Sequence, residues 1–240
     1  MALIDPGRTL VSLGYDTVPA LTPLSYPGRP VTAPALLRGD ELLDLDVEHE
    51  LPGWTADRTP VLAVGSNAAP AQIAYKLRKL GLPVTVPMVP LPTRGIGVGC
   101  SAHIGRNGYV AAAPYPDPRA ARTLVVSWLD AAQLKAVDAT ELPNYRRTDV
   151  PNAPVPGLQM YVGEHGVLVD PGTGRPRAGG GDQAGLLSAL MAASAELSAL
   201  LGPAPRDWVR RAAASPAVRE EGTRLLRAGG TIPSGPSGPA

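Results

Sequence analysis

Proline at positions 19, 23, 27, 30 and 34 denies the first 58 residues a long helix. Each proline removes a backbone donor and pushes the residue before it toward extended conformations. The stretch therefore predicts short strands or extended segments that wrap a core, for example Pro34 to Leu45 with a turn at Arg38-Gly39-Asp40, or a partly ordered arm. The bias continues along the chain. There are 28 prolines and 27 glycines in 240 residues, just under the roughly 25–30 % at which low complexity becomes the default. With 44 % hydrophobic and 18 % charged residues, a packed core is still within reach. That core must be built of Leu, Val and Ala, because the chain has no Phe, three Trp and seven Tyr.

Lysine and arginine number 22 against 21 acidic residues. This balance carries no electrostatic footprint for nucleic acid or for an anionic membrane surface. One cysteine excludes an intrachain disulfide and a Cys-based zinc site. Three scattered histidines argue against a His-based one. Met1 to Gly14 lacks a basic stretch followed by an apolar run, and the richest apolar window, Leu186 to Leu201, contains Glu196. A soluble, cytoplasmic protein is expected.

The order of elements sharpens from Thr59. Val61-Leu62-Ala63-Val64 reads as a buried strand, and Gly65-Ser66-Asn67 as a turn. Pro70 then opens a helix with Ile73, Leu77 and Leu80 on one face, stopped by Gly81 and Pro83. Val84 to Leu91, Gly95 to Ser101, Tyr109 to Ala113 and Thr123 to Leu129 read as extended. Asp130 and Gln133 form a capping box on a helix that ends near Thr140. Leu158 to Val162 and Gly166 to Asp170 predict a hairpin about Glu164-His165-Gly166. Gly179-Gly180-Gly181 reads as a flexible joint, Gln183 to Leu201 as one helix, and 206–226 as a helical region broken at Pro216. The Gly/Pro/Ser-rich end predicts disorder over 229–240. The expected divisions are a Pro-rich extension (1–58), a core (59–178), a helical extension (179–228) and the tail. Strand–helix alternation is too irregular for a doubly wound sheet, so the class is α+β.

Three constellations carry chemistry. The amides that follow Gly65 point into a helix start and suit a carboxylate or phosphate, although the same residues make an ordinary turn and cap. Glu141 lies at a helix end before Pro143 and Tyr145-Arg146-Arg147. Held beside a cleft it could shuttle a proton, and in the open it is a solvated glutamate. Ser101 and His103, at i and i+2 on a strand, share a face and raise a Ser-dependent hydrolase, for which Ser66 is a second nucleophile. No Gly-x-Ser-x-Gly elbow supports that option. Gly95-Ile-Gly-Val-Gly99 matches neither a dinucleotide fingerprint nor a phosphate loop. Cys100 reads as a buried thiol, and Arg206, Arg210, Arg211, Arg219, Arg224 and Arg227 as a solvated helix face.

Taken together, strand, Gly-Ser-Asn, helix, short strands, Trp128-Leu129-Asp130, capped helix, Glu141 and Tyr145-Arg146-Arg147 resemble the γ-glutamylcyclotransferase-like superfamily over roughly Val61 to Asp170. The resemblance implies a mixed β-sheet or barrel core with a few helices and a cofactor-free acyl transfer that releases 5-oxoproline from a small γ-glutamyl amide. It implies that Glu141 is the general acid and base, and that Val64, Gly65, Ser66, Asn67 and Tyr145 bind substrate. Val64 departs from the loop tyrosine usual in that family, and Ala68 from its common Leu. The extensions would narrow the cleft, cover it or form a homodimer contact. The alternative from another class is a non-catalytic ligand- or protein-binding domain on the same scaffold.

Overall fold

A computed structural model of the chain describes residues 5–236. Nine strands form one mixed, open sheet, and seven α-helices accompany it among the described residues. The chain is therefore α+β, and the sheet does not close into a barrel. The strands are β1 (Ala35–Arg38), β2 (Glu41–Asp44), β3 (Thr59–Ala63), β4 (Thr85–Ile104), β5 (Val110–Leu129), β6 (Tyr145–Asp149), β7 (Gln159–Gly163), β8 (Val167–Leu168) and β9 (Thr231–Ile232). The helices are α1 (Leu51–Thr55), α2 (Pro70–Lys79), α3 (Ala131–Glu141), α4 (Gln183–Ala193), α5 (Ala195–Leu201), α6 (Pro205–Ala214) and α7 (Pro216–Ala228). None is long and apolar enough to cross a membrane.

The strand order is β2-β1-β4-β5-β3-β7-β6, with β8 paired to β4 and β9 to β8. The four extended stretches expected between Val84 and Leu129 are two 20-residue strands, β4 and β5, which form one long hairpin with register shifts at Arg94/Ile96 and Cys100/Ile104. β3 lies inside the sheet, antiparallel to β5 and parallel to β7. Burial on both sides explains its unbroken apolar run.

The described part of the Pro-rich segment packs against the core. β1 and β2 form a hairpin over the Gly39 turn, where φ is +60°, a conformation glycine adopts without steric cost. Leu10, Tyr15, Tyr26 and Val31 are buried in the same cluster as Ile73 and Leu77 of α2. Leu80 leaves the expected α2 face: it is the capping residue beyond the helix, at φ −106° and ψ 8°, and is exposed.

The expected hairpin of 158–162 with 166–170 does not form. Both edges of β7 are occupied, by β3 and β6, so β8 pairs with β4. The expected helix over 183–201 is two helices. Ser194 at φ −143° breaks it, and its hydroxyl accepts from the Leu197 N–H at 3.1 Å to cap α5. The 179–181 joint is pinned at its first residue, where Gly179 N–H donates to Val98 O at 3.1 Å and a Cβ would strike the Gly99 backbone. The tail expected to be disordered contributes β9, and Ser234 Oγ donates to Pro114 O and accepts from Gly163 N–H; residues 237–240 lie outside the described residues.

Candidate active site

The C-terminal end of β3 delivers Val64, Gly65, Ser66 and Asn67 to the wall of a cavity of about 980 Å³. That is the upper end of the roughly 300–1,000 Å³ typical of small-molecule pockets. Glu141 and Tyr145 line the same cavity. The six residues that the family resemblance pointed to therefore line one cavity, although Glu141 is 74 positions from Asn67.

Gly65 is needed for space. Its φ of −136° is open to any residue, but a Cβ would run into the hydroxyl of Tyr26. Tyr26 comes from the Pro-rich segment, stacks on Tyr109 at 4.5 Å between centroids, and accepts from Ala112 N–H at 2.7 Å. Beyond Gly65 the chain makes a 3-10 turn, Ser66–Ala68. Ala68 N–H donates to Gly65 O and Ala69 N–H to Ser66 O, both at 3.0 Å. Among the described residues the N–H groups of Ser66 and Asn67, in the open first turn, have no backbone acceptor.

α3 carries Glu141 as its last residue. The helix starts on the expected capping box, and the Gln133 side chain also reaches Pro83 O and Thr85 O. Near its end, Asp138 accepts from Arg147 at 3.0 Å and from the Tyr161 hydroxyl at 2.6 Å, which ties α3 to β6 and β7 one turn before Glu141. Burial acts to raise the Asp138 pKa, yet the bonds from Arg147 and Tyr161 prevail and hold the carboxyl below its ordinary value.

Lys76 is the partner that sequence patterns missed. From α2 its ammonium donates to Glu141 Oε1 at 2.7 Å and to Asn67 Oδ1 at 2.8 Å, while Asn67 Nδ2 donates to the same Glu141 oxygen at 3.0 Å. The two side chains of the pair are 10 % and 16 % exposed. Among the described residues Glu141 Oε2 has no donor, so one carboxylate oxygen is anchored and the other is open to a ligand.

Five of the seven tyrosines line the cavity: Tyr26, Tyr75, Tyr109, Tyr145 and Tyr161. Burial raises the phenol pKa of Tyr26, Tyr145 and Tyr161, and that of Tyr109 to about 12. These phenols are neutral donors and acceptors. Tyr145 Oη donates to Ala112 O at 3.0 Å, so this residue offers the cavity its ring.

Ser101 Oγ and His103 Nδ1 are 2.6 Å apart and do share a face of β4. His103 lines the cavity and Ser101 does not. Burial, helped by the neighbouring His165, lowers the His103 pKa to about 3, and the His165 ring stacks on it at 4.8 Å. Cys100 is buried and its thiol pKa is pushed up to about 12 by desolvation. Among the described residues, no group of three or more His, Cys, Asp or Glu side chains is placed to hold a metal ion.

The Arg-rich C-terminal helix is part of the site. Pro216, Arg219, Glu220, Thr223, Arg224 and Arg227 of α7 recur at helical spacing and line the cavity. Comparison with known proteins identifies no relative: no family model, curated protein or solved structure matches the chain.

Proposed function

We propose that the protein is a cofactor-free acyl-transfer enzyme of the γ-glutamylcyclotransferase kind, which converts a γ-glutamyl amide to 5-oxoproline and a free amine. The observation that carries this reading is Glu141: a largely enclosed carboxylate, held through Oε1 by Lys76 and Asn67, with Oε2 open on a cavity that the Gly65-Ser66-Asn67 turn also lines.

The reaction needs the substrate folded on itself more than it needs a strong nucleophile. The α-nitrogen attacks the γ-carbonyl carbon, a C–N bond forms, and the bond to the leaving nitrogen breaks. Two protons leave the α-ammonium and two arrive on the departing amine, so one carboxylate that accepts and returns protons suffices. Amides of Ser66 and Asn67 suit the substrate carboxylate or the oxyanion that develops on the carbonyl. The loop tyrosine expected at position 64 is absent, and the ring beside the loop is Tyr26, from outside the resembling region.

A second reading is favoured by the Lys76 ion pair, which neutralises Glu141 as a purely structural pair would: a ligand-binding domain without turnover. Incubation with a broad panel of γ-glutamyl amides, followed by mass-spectrometric assay for 5-oxoproline, separates the two. Release supports the enzyme. A panel that is bound but not turned over supports the binding domain.

A further inference from the structure

The chain as a whole is nearly neutral, yet the cavity wall is not. Lys79, Arg106, Arg219, Arg224 and Arg227 line it against the single acid Glu220, apart from the Lys76–Glu141 pair. Arg224 is paired with Glu221, and Arg219 donates to Ala212 O at the end of α6. Among the described residues, Lys79, Arg106 and Arg227 have no carboxylate partner. The α7 helix that carries three of these arginines is held on β4, while the Arg224 and Arg227 side chains stay exposed at the rim. Gly222 lies so close to Ile104 that a Cβ would overlap its side chain, and Ile104 N–H donates to Thr223 Oγ1 at 3.1 Å. A cluster of arginines on a mobile arm would be a solvated face. Here the helix is fixed and its solvated cations, with Lys79 and Arg106, ring the mouth of one cavity, where an anionic group can reach them together.

We propose that α7 builds a second, cationic subsite, which selects γ-glutamyl substrates whose leaving amine carries two or more negative charges. This rests on the cyclotransferase reading for the first subsite, at Glu141 and the Gly65 turn. A small glutamyl group leaves much of a 980 Å³ cavity for the other half of the molecule. The surplus cations supply affinity for an anionic half and none for a neutral one. Carboxylate and phosphate groups share the required chemistry.

Glutaryl amides that lack the α-amine cannot cyclise, so they report binding without turnover. Calorimetric titration of the full chain would compare N-glutaryl-glutamate, N-glutaryl-phosphoethanolamine and N-glutaryl-ethylamine. At least one anionic ligand is expected to bind roughly ten-fold or more tightly than the neutral one, with the advantage reduced by added salt. Arg224→Gln/Arg227→Gln should collapse that advantage to about two- to three-fold. Lys79→Gln, on α2, should reduce it without touching α7. The stronger of the two anionic ligands assigns the anion. Equal affinity for charged and neutral ligands in the wild-type protein, or an advantage that survives both variants, would overturn the subsite. Selective binding without release of 5-oxoproline from γ-glutamyl-glutamate would keep the subsite and refute the cyclisation.

Discussion

Lys76 and Glu141, 65 residues apart in sequence, meet at 2.7 Å on the wall of the cavity, and Asn67 joins both. Removing one member of a largely buried pair leaves the other uncompensated, which costs about 3–5 kcal/mol in comparable cases. Lys76→Met is expected to lower the urea midpoint strongly. The double variant Lys76→Met/Glu141→Gln should be more stable than the single Lys76→Met, which a double-mutant cycle measures directly.

Gly65 and Tyr26 form a second coupled pair. Gly65→Ala sets a methyl against the Tyr26 hydroxyl and should cost about 1–3 kcal/mol as an overpacking change. Tyr26→Phe alone leaves the Ala112 N–H without its acceptor, at roughly 1–3 kcal/mol. In the double variant the offending oxygen is gone, so its loss of stability should be smaller than the sum of the two single losses. Thermal unfolding of the four proteins checks this.

His103 makes stability depend on pH. Burial holds its folded pKa near 3, below the ordinary value of 6.5 that it regains on unfolding. Between these values the unfolded chain binds the extra proton. The contribution is therefore fully present above pH 6.5 and is lost as pH falls toward 3, by about 1.4 kcal/mol per pH unit. Urea unfolding at pH 7.5 and 5.0 should show a steeper loss in the wild-type protein than in His103→Gln.

Gly222 sets the distance of α7 from β4. Gly222→Val drives a branched side chain into Ile104 and Leu201. It should destabilise the protein by about 1–3 kcal/mol and displace the arginine-bearing wall. Protection of the α7 amides from hydrogen exchange should fall, while that of β3, remote from the substitution, should not.

Locally encoded features were legible in the sequence. The Asp130–Gln133 capping box, the Pro70 helix start and the β1–β2 turn at Gly39 each depend on residues a few positions apart. What sequence periodicity could not supply were the long-range pairings. Short separation suggested a β7–β8 hairpin, but β3 and β6 had already taken both edges of β7. Lys76 read as one of several polar residues on α2 because its partner lies in another helix. Arg224 and Arg227 are solvated, as read from the sequence, with the Arg224 side chain 65 % exposed; what nothing local records is that α7 brings them, with the half-buried Arg219, to the edge of the cavity. The need for glycine at 65 has the same origin, since the obstructing hydroxyl arrives from Tyr26.

The most direct test of the proposed chemistry is the rate of 5-oxoproline release from the best γ-glutamyl amide by wild-type protein and by Glu141→Gln, with circular dichroism as the control for folding. A wild-type rate that falls by about 10²–10⁴-fold in the variant is the expected result for loss of a general acid and base. Undiminished release by a folded Glu141→Gln protein would contradict it.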